Sequence, residues 1–239
     1  MKRPTLQNLS KIIILTLTAL IVFYSDAPAA DGYLYKICVN QKYGFIDRNG
    51  KVVIKPAFES AADFSEGMAV VTTGDKTGFV SASGNLAIKL QYDAARNFSE
   101  GLAAVRIAGK WGYINKKGET VIAPRYETAS NFSEGLAAVK KDGFYGFVNA
   151  RGEEAPGFKH EWVSEFKDGL ARFKKDGKYG FIDRNGNIVI KAVFESADDF
   201  YAGYAIVMQN GRYGLIDKKS AFAAQPVYDY ISRFKEGAA

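Results

Sequence analysis

One pair of residue types returns every 34 positions along this chain: Tyr43-Gly44, Thr77-Gly78, Trp111-Gly112, Tyr145-Gly146, Tyr179-Gly180 and Tyr213-Gly214. No insertion or deletion interrupts the step. An aromatic recurs in the same register at Phe64, Phe98, Phe132, Phe166, Phe200 and Phe234, and a glycine follows three residues later at Gly67, Gly101, Gly135, Gly169, Gly203 and Gly237. A turn glycine at Gly50, Gly84, Gly118, Gly152 and Gly186 gives way to Ser220 in the last copy. A fixed period of this length signals a repeat array, whose units stack to share one core.

A period of 34 also fits helix-pair repeats, but the composition argues against them. Each unit carries several glycines at fixed positions, and its apolar runs are too short for stable helices. The chain holds 24 Gly, 14 Tyr and 17 Phe, a mixture suited to short strands and tight turns. In one unit Leu136-Ala137-Ala138-Val139 is a strand and Asp142-Gly143 supplies the positive φ of a hairpin turn. Tyr145 to Asn149 is the next strand, and Gly152 turns again. The third strand is clearest as Val52-Val53-Ile54 and Thr120-Val121-Ile122. The expected fold is all-β: six tandem 34-residue repeats of short antiparallel strands. Each is a three-stranded meander, with room for a short fourth strand in the crossing to the next unit.

The recurring residues have structural roles that suffice to explain them. Phe64 and its equivalents are expected to plug the gap between adjacent sheets. Each glycine of the aromatic-Gly pair is expected where another backbone comes close. Asp47, Asn115, Asn149, Asp183 and Asp217 are expected to bond the turn backbone that follows them. A calcium loop at Asp47-Arg48-Asn49-Gly50 lacks the further acidic ligands such a site needs.

Ahead of the array, Lys2, Arg3 and Lys11 precede the apolar run Ile12 to Phe23, and Ala27-Pro28-Ala29 follows. That is the layout of a cleaved secretory signal over residues 1–30, leaving residues 31–239 as one repeat domain. The apolar run is too short to span a bilayer, so no integral membrane segment is expected after cleavage. Without Lys2, Arg3, Lys11 and Asp26 the net charge falls from +6 to +4 and is spread evenly, which argues against nucleic acid as a partner. Cys38 is the only cysteine and His160 the only histidine. An intrachain disulfide and a cysteine-based metal site are therefore excluded, and neither a metal nor a cofactor is expected.

The block Lys110-Trp111-Gly112-Tyr113-Ile114, with the Gly118 turn, Val121-Ile122-x-Pro124-x-Tyr126 and Phe132-Ser133-Glu134-Gly135-Leu136-Ala137, resembles the WG (KWG) β-repeat family. Similar blocks start at Lys42 and Lys178. The resemblance implies bacterial repeat proteins acting mostly as binding or interaction modules. It supplies no catalytic residues. Only Trp111 keeps the tryptophan; Tyr replaces it in four copies and Thr77 in one. The fourth copy is the most irregular, with Pro156 in place of a ladder residue and His160-Glu161-Trp162 where others carry Tyr or Phe. Trp111, His160 and Trp162 are the candidate binding residues.

Six units in phase suggest a propeller-like ring, favoured over an open solenoid because no polar cap stands at either end. The expected function is an exported, non-enzymatic scaffold for a protein or glycan partner at the cell envelope. A hydrolase using the recurring carboxylates Glu66, Glu100, Glu134, Asp168 and Glu236 is the alternative, as is a self-associating attachment protein. Recurrence argues against catalysis, because a catalytic pair is needed once, whereas these residues return with the fold.

Overall fold

The computed structural model describes residues 33–155 and 159–232. The expected leader, Pro156, Phe234, Glu236 and Gly237 lie outside the described residues. All the described strands belong to six antiparallel sheets, each a simple meander, and no helix occurs among the described residues. The first sheet holds Tyr35–Val39, Lys42–Ile46 and Val52–Phe58. The second holds Ser60–Ala61, Met68–Thr73, Lys76–Ser81 and Leu86–Tyr92, and the third Ala94–Ala95, Leu102–Ile107, Lys110–Asn115 and Thr120–Tyr126. Thr128–Ser133, Leu136–Lys141 and Phe144–Asn149 form the fourth. The fifth holds Trp162–Val163, Ala171–Lys175, Lys178–Ile182 and Ile188–Phe194, and the sixth Ser196–Ala197, Tyr204–Gln209, Arg212–Asp217 and Phe222–Tyr228. The fourth strand for which the crossing left room is thus real in four sheets, as a two-residue first strand.

Local chemistry sets these meanders. Asp142 and Gly143 both have positive φ, 51° and 83°, the conformation of a two-residue type I′ hairpin turn. Glu100 and Gly101 make the same turn at 54° and 80°. The Asx residues act as expected: Asn115 Oδ1 accepts from the amides of Lys117 and Glu119, and Asp183 Oδ1 from those of Asn185 and Asn187.

The aromatic-Gly pair faces a break in register. Trp111 pairs with Tyr126 and Tyr113 with Ile122, so two extra residues bulge over Gly112. A Cβ on Gly112 would lie 2.4 Å from the Ile122 carbonyl oxygen and 2.7 Å from the Pro124 nitrogen. Gly44, Gly78 and Gly180 are equally crowded by backbone. Proline suits this bulge at Pro56, Pro124 and Pro226, because the bulged residue leaves the ladder and needs no N–H there.

The core lies between sheets. The ring of Phe64 packs on Phe45 of the preceding sheet with centroids 4.8 Å apart, and the contact repeats as Phe98 on Phe79, Phe132 on Tyr113, Phe166 on Phe147 and Phe200 on Phe181. Edge-to-face and tilted geometries of this kind add to the area term.

At the two ends this packing lapses. Ile46 of the first sheet is half-buried, whereas its equivalents Val80, Ile114, Val148, Ile182 and Ile216 are fully buried. Tyr228 of the last sheet is 48% exposed, whereas Tyr92 and Tyr126 are 3% and 0% exposed. Among the described residues the sheets therefore form a propeller-like run whose first and last faces do not bury one another.

Candidate binding cleft between the second and third sheets

The recurring carboxylates are the first groups to place. Glu66 Oε2 accepts from the Gly101 amide, Glu100 Oε2 from that of Gly135, Glu134 Oε2 from that of Gly169, and Asp168 Oδ2 from that of Gly203. Each bond joins one sheet to the next. Cations 50 residues further on add to three of them: Lys116 to Glu66, Arg184 to Glu134 and Lys218 to Asp168. Burial alone would raise the Glu66 carboxyl, but the Gly101 amide and the Lys116 ammonium outweigh it and hold the group below its ordinary value. For Asp168 the Lys218 hydrogen bond dominates and lowers the pKa, against a smaller effect of burial. Ser65, Ser99 and Ser133 add a parallel series, donating to the carbonyls of Phe98, Phe132 and Phe166 at 2.7 Å. The carboxylates are thus fasteners between sheets.

A second row crosses each sheet from its first strand. In the third sheet the paired residues are Ala94, Arg106 and Trp111. The Arg96 and Arg106 guanidiniums lie 5.5 and 5.8 Å from the Trp111 ring centroid. In the fourth sheet the row is Thr128, Lys140 and Tyr145, with the Lys140 ammonium over the Tyr145 ring. In the fifth it is Trp162, Lys174 and Tyr179, with Lys174 over the Tyr179 ring. Stacking of this type is worth about 0.5–2 kcal/mol, more as water is excluded. The second sheet breaks the series. Its row is Ser60, Thr72 and Thr77, and the two threonine hydroxyls lie 3.3 Å apart.

Small residues stand there where the third, fourth and fifth sheets put an aromatic under a cation, and a cleft of about 540 Å³ opens between the second and third sheets. Its second-sheet wall carries Ser60, Ala62, Val70, Thr72 and Thr77. Its third-sheet wall carries Ala94, Ala95, Arg96 and Asn97, and Asn131 of the fourth sheet closes it. Arg96 is exposed, and neither Arg96 nor Arg106 has a carboxylate within ion-pair distance among the described residues. The Asn131 side-chain oxygen is enclosed without a hydrogen-bond partner. The size and the few converging polar groups suit a small polar ligand. A similar hollow recurs at the last sheet, lined by Ser196, Ile206, Tyr213 and Tyr230, with no further described sheet to cover it.

The three residues singled out from sequence do not form one site. Trp111 lies on the third sheet beside the cleft and carries Arg96, which lines it. His160 bridges Tyr145 of the fourth sheet, is 8% exposed and packs on Phe173 at 5.4 Å. It fills the place of a core aromatic such as Tyr126, and burial lowers its pKa. Trp162 starts the fifth sheet, edge-on to Tyr179 and under the Arg172 guanidinium. Sequence reasoning passed over Thr77 as a functional position. The signal was its standing as the one non-aromatic member of the Trp/Tyr series. Among the described residues no cluster of three His, Cys, Asp or Glu side chains could hold a metal ion, and no helix is long and apolar enough to cross a membrane.

The model of the WG-containing repeat matches residues 43–76, 78–111, 111–143, 145–179, 179–213 and 213–239. The chain belongs to the WG-repeat family. No curated protein matches it in sequence. Among solved structures, Hsv2p of Kluyveromyces lactis is similar at a TM-score of 0.50 and 8% identity, covering 77% of this chain and 70% of that one. A eukaryotic initiation factor matches at 0.53 and 12% identity, covering 84% and 64%. The dihydro-heme d1 dehydrogenase NirN matches at 0.51 and 10% identity, covering 80% and 53%. The WG-repeat chain thus spans about two thirds of the second and half of the third. At such identities the likeness is one of fold alone.

Proposed function

We propose that this WG-repeat chain is an exported, non-enzymatic scaffold that binds a protein or glycan partner at the cell envelope. The observation that carries the reading is the division of labour among its polar residues. Glu66, Glu100, Glu134 and Asp168, the groups a hydrolase would draw on, are committed to bonds between sheets. The polar groups of the cleft at Thr77 are not fasteners of that kind. The test is to pass the full chain over arrayed envelope glycans and immobilised envelope proteins, with product analysis of the eluate. Retention without turnover is expected. Glycan cleavage, or no retention on either surface, would overturn the proposal.

A second reading, self-association, draws on the exposed end faces around Tyr35 and Tyr228. Sedimentation velocity over a wide concentration range tests it, and a concentration-independent monomer would exclude it.

A further inference from the structure

We infer that the cleft between the second and third sheets is a site for a small hydroxylated carboxylate of the acidic-sugar class, the size of a hexuronic acid. The inference rests on the binding-scaffold reading and names the ligand chemistry of that site. One wall offers the exposed Ser60 hydroxyl and the Thr72 hydroxyl, which the buried Thr77 hydroxyl backs at 3.3 Å; hydroxyls donate and accept as a sugar hydroxyl requires. The opposite wall offers one cation, Arg96, and no carboxylate lines the cleft. Arg96 is held over the Trp111 face and is without an ion-pair partner among the described residues. A guanidinium so placed matches a carboxylate in a two-pronged geometry. Asn131 borders the cleft from the fourth sheet and adds no charge to it. The alanines and Val70 between these groups leave room for a ring without polar competition.

The site exists because Thr77 stands where four other copies carry tyrosine and one tryptophan. That also provides the control. Thr77→Tyr restores the residue that the fold accepts in four copies and fills the cleft. Titration calorimetry of the full chain with glucuronate and galacturonate is expected to give saturable binding with Kd on the order of 1 mM or tighter. The affinity should fall as salt is raised. Glucose and galactose, lacking the carboxylate, should bind at least roughly tenfold more weakly, and so should inorganic phosphate, lacking the sugar hydroxyls. Arg96→Gln should lose roughly tenfold in affinity, and Thr77→Tyr should abolish binding with an unchanged thermal melt. Three results would overturn the inference: no saturation with either acid, equal binding of phosphate, or acid binding that survives in Thr77→Tyr. Failure of the small acids alongside retention on the glycan or protein surfaces would sink this inference and leave the scaffold reading standing. Should Thr77→Tyr not fold, Arg96→Gln and the neutral sugars decide alone.

Discussion

Replacing Gly112 by alanine tests whether the second residue of the aromatic-Gly pair is fixed by geometry or merely by repetition. The added Cβ would meet the Ile122 carbonyl oxygen at 2.4 Å, the Pro124 nitrogen at 2.7 Å and the Ala123 carbonyl carbon at 2.9 Å. All three are backbone atoms of one bulge, so no side chain can swing aside. Ordinary van der Waals separation would need the bulge to retreat by roughly 1 Å. That movement pulls on Ile122 and Tyr126, 2% and 0% exposed, which pack against the next sheet. Overpacking of a rigid core costs about 1–3 kcal/mol, and the loss of fit around Tyr126 places this substitution at the upper end, about 3 kcal/mol. Gly214 supplies the internal comparison. Its nearest atoms are 2.8, 3.0 and 3.1 Å away, and the Ala224 and Tyr228 that would move with its bulge are not core residues. Gly214→Ala should therefore cost about 1 kcal/mol. Urea unfolding followed by circular dichroism measures both. If Gly112→Ala stays within about 0.5 kcal/mol of the parent, or if Gly214→Ala is the worse of the two, the bulge argument fails.

Three further outcomes follow from the same geometry. Ser220 occupies the left-handed region at φ 67° where the other copies carry glycine, so Ser220→Gly should raise stability by about 1 kcal/mol in the same urea assay. Tyr126→Ala should cost about 3–5 kcal/mol by leaving a cavity, whereas Tyr228→Ala, its equivalent on the bare last face, should cost under about 1 kcal/mol; matching losses would mean that the end face is covered in solution. The Glu66 and Asp168 carboxyls have pKa values below their ordinary 4.5 and 3.8. A group depressed in the folded state stabilises it above the unfolded pKa and stops doing so as pH falls, so the melting temperature should hold from neutrality and then drop below about pH 4. Asp168→Asn should shallow that acid limb, and an unaltered limb would place the acid sensitivity elsewhere.

The repeat made most of the fold legible before any coordinates. Phe64, Phe98 and Phe132 could be placed between sheets because one position that is always aromatic must meet the same environment in every unit. Gly112 and Asn115 could be assigned for the same reason. Two things were not legible. The two-residue first strands, such as Ser60–Ala61, are too short to show alternation, and they exist only because Thr72 and Val71 of a longer neighbour offer them a ladder. The state of the ends was also hidden: phase shows that six units could close, but closure depends on the angle between sheets, which no residue spacing encodes. The leader expected over residues 1–30 belongs to neither group, since those positions lie outside the described residues.

The cleft marks the limit of reading by recurrence. Repetition explains a position by what all copies share, and so points to structure. Thr77 departs from its series and drew no functional reading from the sequence, yet in a stacked array a departure from bulky to small has a defined result. The sheet spacing is held by the unaltered contacts around it: Phe98 on Phe79 at 4.9 Å and Glu66 on the Gly101 amide at 3.0 Å. The sheets therefore do not collapse to fill the lost volume, and the deletion becomes a cleft. The irregular fourth copy shows the converse. His160 replaces a core aromatic with another planar ring, which packs on Phe173 and stays 8% exposed. In this array chemical novelty at a residue is thus a poorer guide to a site than lost volume beside intact fasteners. On that criterion the search for a ligand begins at Thr77 and Arg96, ahead of the chain's only histidine.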